Sequence, residues 1–331
     1  VVGHVSAAPT VVITDHPWPT VEIERGALSS VGARVVDADG VPDEMLLELV
    51  VDADGIITCF RKVSAAIIDA APGLRVVARS GIGVDNIDVP AATRRGIPVT
   101  NVPAYCEAEV AEHVIALIFA VRRQIVDYDR GVRAGDWSLK RGAPLHRLEG
   151  QTLGVVGHGQ LGAAVAHKAQ GVGFSVIAYS PSAQPGTCTP SGIAFVTLPQ
   201  LAERSHVVTL HAPLTDGTAG LIDADFLRKM RRDAVLINTS RGAIVDQGAL
   251  ADALERGTIA GAGLDVFTPE RLRDGDRLLA APNTVMTPHV AYYSEESLAL
   301  LARLTAESVA DVLAGRPPRS IVNLRELGQS G

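Results

Sequence analysis

Six residues constrain this chain more than any others. Gly157-His158-Gly159-Gln160-Leu161-Gly162 follows the apolar stretch Leu153 to Val156 without a break and opens the helical run Ala163 to Gln170. Three glycines at this spacing mean little alone. Between a strand and a helix they have a mechanism: one permits the tight turn, the next admits a pyrophosphate against bare backbone, and the third lets helix and strand pack closely. The amides at the helix N-terminus then meet the phosphate charge. Gly157, Gly159, Gln160, Leu161 and Gly162 are therefore candidate dinucleotide contacts.

The rest of the chain has the matching rhythm, short β-branched runs alternating with longer helical patterns. Strands are expected at Val11–Thr14, Val35–Asp37, Gly55–Thr58 and Leu74–Ala78. A second series is expected at Thr152–Val156, Ser175–Ala178, His206–Leu210, Ala234–Asn238, Gly261–Asp265 and Thr284–Met286. Val110, Val114, Leu117 and Val121 share one face of a helix over Glu107–Arg123. Ser294–Ala314 reads as an amphipathic helix ended by Gly315 and Pro317-Pro318. Two strand series in 331 residues imply two domains. The expected class is α/β, with two doubly wound parallel-sheet domains. Residues 1–104 plus 297–331 would form a substrate domain, and residues 105–296 a dinucleotide-binding domain. The polar stretch Asp127–Arg147 reads as an arm at an oligomer contact.

Composition narrows the function classes. With 47% hydrophobic and 20% charged residues the chain suits a globular protein. A net charge of −7 gives no general pull toward nucleic acid or an anionic membrane, and no run of about 18 apolar residues offers a span. Cys59, Cys106 and Cys188 lack metal-type spacing and are odd in number, so they read as buried thiols in a reducing cytosol, with no metal expected. The opening Val1–Thr10 lacks a basic n-region and is not read as a signal peptide.

Strand ends carry the chemistry. Arg241 follows the strand ending at Asn238, Asp265 and Glu270 follow Leu264, and His289 follows Thr287-Pro288. All should open on the same sheet edge as the glycine turn. Reduction of a 2-oxo acid needs a proton donor at the carbonyl oxygen, a cation for the anionic substrate, and a group to tune the donor. An imidazole titrates near about 6.5, which suits His289 to the first task. A carboxylate such as Glu270 beside it fixes the ring and favours imidazolium. Arg241 offers a planar, permanently charged fork. Taken singly, His289 reads as a loop residue, Glu270 as a solvated carboxylate and Arg241 as a surface ion-pair partner; their convergence beside a dinucleotide turn favours catalysis. Asp265 reads either as a helix cap or as a contact on the nicotinamide side. Ser180 stands where an acidic residue should bind the adenosine ribose. NADP(H) is then not repelled, yet no Arg or Lys lies between Ser175 and Gly186 to pair with its 2′-phosphate, so NAD is the expected cofactor.

Those segments, with His211-Ala212-Pro213-Leu214-Thr215, Asn238-Thr239-Ser240-Arg241-Gly242-Ala243-Ile244-Val245-Asp246 and Gly263-Leu264-Asp265-Val266-Phe267, resemble the D-isomer-specific 2-hydroxyacid dehydrogenases from about Ile56 to Ser308. The resemblance implies that Arg241, Glu270 and His289 are the catalytic set. It implies that Arg79, Ser80, Gly81 and Ile82 form a loop whose amides and guanidinium bind the carboxylate. Cofactor contacts are implied at Gly159 to Leu161, Ser180, His211, Pro213, Thr215, Thr239, Ser240, Arg241 and Asp265. The implied fold is two Rossmann-like domains with the active site in the cleft between them, in a homodimer whose last helix returns to the substrate domain. Arg79 and His289–Glu295 are most similar to the C-terminal-binding-protein branch, corepressors that keep the dehydrogenase fold. That branch has Trp where this chain has Tyr292, which makes Tyr292 a candidate wall of the substrate pocket. Glu270 speaks against formate dehydrogenase, where the pattern has Gln. His158 reads as a solvent-facing turn residue or a phosphate neighbour. A dinucleotide-sensing interaction protein and a phosphite-type dehydrogenase remain alternatives to a 2-oxo acid reductase.

Overall fold

The computed structural model describes residues 8–139 and 144–328. Within them the chain forms two compact units, one running to Tyr105 and resuming at Ser294, the other Cys106–Tyr293. The first contains β1 (Thr10–Ile13), β2 (Arg34–Asp37), β3 (Gly55–Thr58), β4 (Val76–Arg79) and β5 (Val99–Thr100), all parallel in the order β2-β1-β3-β4-β5. The second contains β6 (Thr152–Val156), β7 (Ser175–Tyr179), β8 (Ala194–Phe195), β9 (Val207–Leu210), β10 (Val235–Asn238), β11 (Gly261–Leu264) and β12 (Thr284–Met286). Their order is β12-β11-β10-β9-β6-β7-β8, again parallel. Both sheets are doubly wound, as expected. The inner strands β1, β3, β4, β9, β10 and β11 are buried on both faces, which is why they read as unbroken apolar runs rather than alternating ones.

Two strands escaped the sequence reading, β5 and β8. Each is two residues long, too short to display a period. Strand ends elsewhere move by one or two residues. In the stretch expected as an arm, a helix forms over Ile125–Arg133, while Lys140–Ala143 lie outside the described residues, as do Val1–Ala7 at the opening.

Two helices place the site. Glu107–Arg122 buries Val110, Val114, Leu117 and Val121, and Leu117 lies so close to Gly263 of β11 that a Cβ there would stand 3.1 Å from the leucine's. The last helix, Glu295–Leu313, starts at Ser294, whose hydroxyl accepts from the Ser297 amide at 2.9 Å. Its Ala306, Val309, Ala310 and Leu313 join Val11, Ile13, Ile57 and Val76 in the core of the first unit. Cys59 and Cys106 are buried, but Cys188 is exposed, because it sits in the turn-rich segment before β8. Burial pushes the Cys59 thiol up to about 12. Among the described residues no helix is long and apolar enough to cross a membrane.

Candidate active site

In the second sheet β6 pairs with β9 on one side and β7 on the other, so the order in which parallel strands are added reverses at β6, the point beyond whose carboxyl end ligands of such sheets bind. The glycine turn lies there. Gly157 has φ +91°, and a Cβ on it would stand 2.7 Å from the Ala212 nitrogen and the His211 carbonyl carbon. On Gly162 a Cβ would come within 2.1 Å of the Gly157 oxygen, the close helix–strand packing the fingerprint demands. Nothing lies within 4 Å of a Cβ built on Gly159. Backbone is thus open where a pyrophosphate would approach, at the start of the helix Gln160–Gly171 that carries Leu161. The Thr239 hydroxyl, past β10, is buried without a partner. An open glycine face beside an unsatisfied buried hydroxyl fits a dinucleotide.

The loops beside the turn are tied together. The His211 amide donates to Val156 O at 2.7 Å and the Gly157 amide to Tyr179 O at 2.8 Å. Burial holds the His211 imidazole down at about 3, so it is neutral, and its Nε2 lies 2.9 Å from Thr209 Oγ1. Pro213 and Thr215 stand on an exposed loop closed by Thr218, whose hydroxyl accepts from the Thr215 amide at 2.8 Å and donates to Pro213 O at 2.6 Å. Ser180 ends β7 with its hydroxyl 3.0 Å from that of Ser182. His158 does not face solvent as the turn suggested; it packs edge-on to Phe195, ring centres 5.6 Å apart, with Nε2 buried and unpartnered.

Arg241 is set by its neighbours. Asn238 Oδ1 accepts from the Ser240 amide at 3.0 Å and Nδ2 donates to Arg241 O at 2.9 Å, folding the turn back on the strand end. The Ser240 hydroxyl donates to Ala212 O at 2.6 Å, which ties this loop to the one after β9. A Cβ on Gly242 would sit 2.1 Å from the Phe267 carbonyl carbon, so only glycine lets the Arg241 loop lie against the loop that carries Glu270. The Arg241 guanidinium itself donates to Ser240 O at 2.8 Å.

Glu270 and His289 are in direct hydrogen-bond contact, Oε1 to Nδ1. The imidazole is edge-on to Tyr292, ring centres 6.2 Å apart, so the predicted pocket-wall residue packs on the imidazole. Asp265 differs from expectation. It is wholly buried and its carboxylate accepts from the Val290 amide (2.9 Å), the Ala291 amide (2.9 Å) and the Thr287 hydroxyl (2.5 Å). With no surface exposed and both oxygens engaged, it serves as a strut for the His289 loop.

In the first unit, Arg79 ends β4 and is buried, its guanidinium 5.7 Å from the Phe60 ring centre. Gly81 has φ +142°, and a Cβ there would overlap Nη1 of Arg79, so the guanidinium lies on bare backbone. The Ser80 amide already donates to Thr58 O (2.8 Å) and the Gly81 amide to Arg79 O (3.0 Å). Those two amides are therefore not the anion donors the likeness implied. The Arg79 guanidinium donates from Nη1 to Ser80 O, and its buried Nε has no partner. Asn101 Nδ2 fixes Ile82 by donating to its carbonyl at 2.7 Å. Asp15, missed from sequence, accepts from the amides of Cys59 (2.9 Å), Phe60 (2.6 Å) and Arg61 (3.0 Å) and so shapes the loop under Arg79. Its only signal was an acid one residue past a strand.

Comparison with known proteins agrees with this geometry. A family model described as "D-isomer specific 2-hydroxyacid dehydrogenase, NAD binding domain" matches residues 115–291. A glyoxylate reductase of Korarchaeum cryptofilum is 40% identical over 284 residues, 85% of this chain and 86% of that one. A glycerate dehydrogenase of Methylorubrum extorquens is 41% identical over 253 residues, 74% of this chain and 78% of its own. The crystal structure of the TT0316 protein from Thermus thermophilus superimposes with a TM-score of 0.85 at 37% identity, covering 95% of this chain and 99% of that one.

Proposed function

The chain belongs to the D-isomer-specific 2-hydroxyacid dehydrogenase family, and from that premise we propose that it reduces a small 2-oxo acid to the D-2-hydroxy acid with NADH. The observation that carries this is the direct pairing of His289 Nδ1 with Glu270, on the edge of the sheet that also holds the glycine turn. The Glu270 carboxylate accepts a hydrogen bond from Nδ1–H, orients the ring and favours the imidazolium, in which Nε2 carries the second proton, the one that goes to the substrate oxygen. Arg241 faces the developing alkoxide and carboxylate with a planar fork, a placement commonly worth about 3 kcal/mol in a transition state. Arg79 holds the acid's carboxylate, and Tyr292 bounds the reacting end. Gly157, Gly159, Gln160, Leu161 and Gly162 take the pyrophosphate, Thr239 and Ser240 line the strand end beside it, and Ser180 accepts the ribose. NADH, when bound, supplies the hydride. The names of the two relatives support an acid of two or three carbons, glyoxylate or hydroxypyruvate.

The chain also works as a homodimer in the cytosol on this reading. Val132, Trp137 and Leu139 in the arm, and Ile125 just before it, are exposed apolar residues grouped within fifteen positions, which supports a partner copy there, and three free cysteines support a reducing compartment.

The test is a panel of 2-oxo acids run separately with NADH and NADPH. Oxidation of NADH by glyoxylate or hydroxypyruvate, slower with NADPH, is the expected outcome. Tight NADH binding with silence toward every acid overturns the reductase in favour of a sensor, and NAD reduction by phosphite alone overturns it in favour of the phosphite-type enzyme.

A further inference from the structure

We infer that His113, on the helix Glu107–Arg122, is a positioning residue for His289, acting through Thr287 and Asp265. This rests on reading His289 as the proton donor.

The sequence already makes His113 odd. It lies three residues after Val110 and four before Leu117, half-buried along the edge of the stripe that the helix buries. A polar ring there needs a partner. Its Nε2 stands 2.9 Å from Thr287 Oγ1 and 3.7 Å from Asp265 Oδ1. Proton counting then fixes the order. The Asp265 carboxylate accepts only, so across the 2.5 Å contact the Thr287 hydroxyl must donate. Its one proton is thereby engaged, and toward His113 it can only accept. His113 is the Nε2–H tautomer, and the chain runs His113 to Thr287 to Asp265.

What hangs from that chain is the backbone of the catalytic loop. Asp265 takes the amides of Val290 and Ala291 in its carboxylate and the amide of His289 in its carbonyl at 2.8 Å. His289 between them has φ +56°, a left-handed conformation that a non-glycine residue keeps only when its surroundings impose it. His113 anchors this strained turn to the helix that packs on β11. It never touches the reacting atoms in this account; it sets where His289 stands.

Three variants test the inference. His113→Phe keeps a ring and removes the donor, Thr287→Val removes the relay from the other side, and His113→Gln restores an N–H at the Nε2 position. Amide exchange of Val290 and Ala291, read on the free protein by NMR and referenced to the amides of β10, should quicken about tenfold in the first two variants and return to near wild type in the third, as loss of one buried hydrogen bond predicts. Turnover should fall by a similar factor with KM for NADH little changed. Unchanged Val290 and Ala291 exchange overturns the inference, and so does exchange that quickens equally in β10, which is plain destabilisation. Exchange needs no substrate, so a protein silent toward every 2-oxo acid still tests the positioning, while its silence counts against the reductase alone. Thr287→Val carries the test by itself where His113→Phe does not fold.

Discussion

Asp15 in the first unit and Asp265 in the second do the same structural job for different ends. Each follows the carboxyl end of a parallel strand, β1 or β11, and each gathers backbone amides from the loop after the neighbouring strand, β3 or β12. Asp15 thereby fixes Phe60, on which the Arg79 guanidinium rests. Asp265 fixes the turn that presents His289 to Glu270. A carboxylate that collects N–H groups makes a loop rigid wherever a parallel sheet ends. What the rigid loop then carries decides whether the edge holds an anion or moves a proton.

Three experiments press on that comparison. The largest effect belongs to what the second strut presents. His289→Ala should lower kcat by about two to four decades, judged by typical acid–base contributions, with NADH affinity by fluorescence titration preserved. Phe60→Ala, its counterpart, should leave kcat near wild type and raise KM for the acid by about two- to fivefold, the size of a lost cation–π contact. If both variants lose turnover equally, the division of labour is wrong.

Next come the struts themselves. Asparagine keeps an acceptor but turns an NH2 toward amides that need one, which costs about 1–3 kcal/mol for each buried donor left unpaired. Asp265→Asn should therefore lose both stability in urea and about ten- to a hundredfold in kcat, since the His289 turn loosens. Asp15→Asn should lose comparable stability while kcat holds and KM rises. A kcat loss in Asp15→Asn matching that of Asp265→Asn would erase the distinction.

The smallest effect is the order in which the units yield to acid. The buried imidazole of His211 is held at about 3 against an ordinary 6.5, so the fold favours its neutral form. That contribution is whole above about pH 6.5 and fades as the pH falls toward 3, at no more than about 1.4 kcal/mol per pH unit for one proton. For Asp15, burial opposes the charge, but amide donors from Cys59, Phe60 and Arg61 and the Thr14 hydroxyl outweigh it and hold the carboxyl below its usual 3.8. Its contribution is whole above 3.8 and fades only below. Hydrogen exchange, corrected for intrinsic rates, should show β9 and β10 losing protection at a higher pH than β1 and β3. His211→Phe should move the two onsets together.

The glycine turn, both strand series, the helix over Glu107–Arg122, and Arg241, Glu270 and His289 were all legible in the sequence. The last two strands missed, β5 and β8, were invisible because two residues cannot show a period. The roles of Asp265, Asp15, His113 and Gly242 were not legible for a different reason. Nothing local distinguishes a carboxylate that faces a ligand from one that collects amides of a distant loop, and Gly242 is demanded only by the backbone of Phe267 brought against it.

Residue order alone determined that Arg241, Asp265, Glu270 and His289 stand past strand ends, since periodicity and turn residues are local and place polar groups there. Only tertiary structure decided that the other carboxylate, Asp265, props the loop beneath the imidazole. Asp265 and Glu270 are five residues apart with the same charge, and the packing of β11 against β12 and of the helix carrying His113 is what buries one and leaves the other to pair.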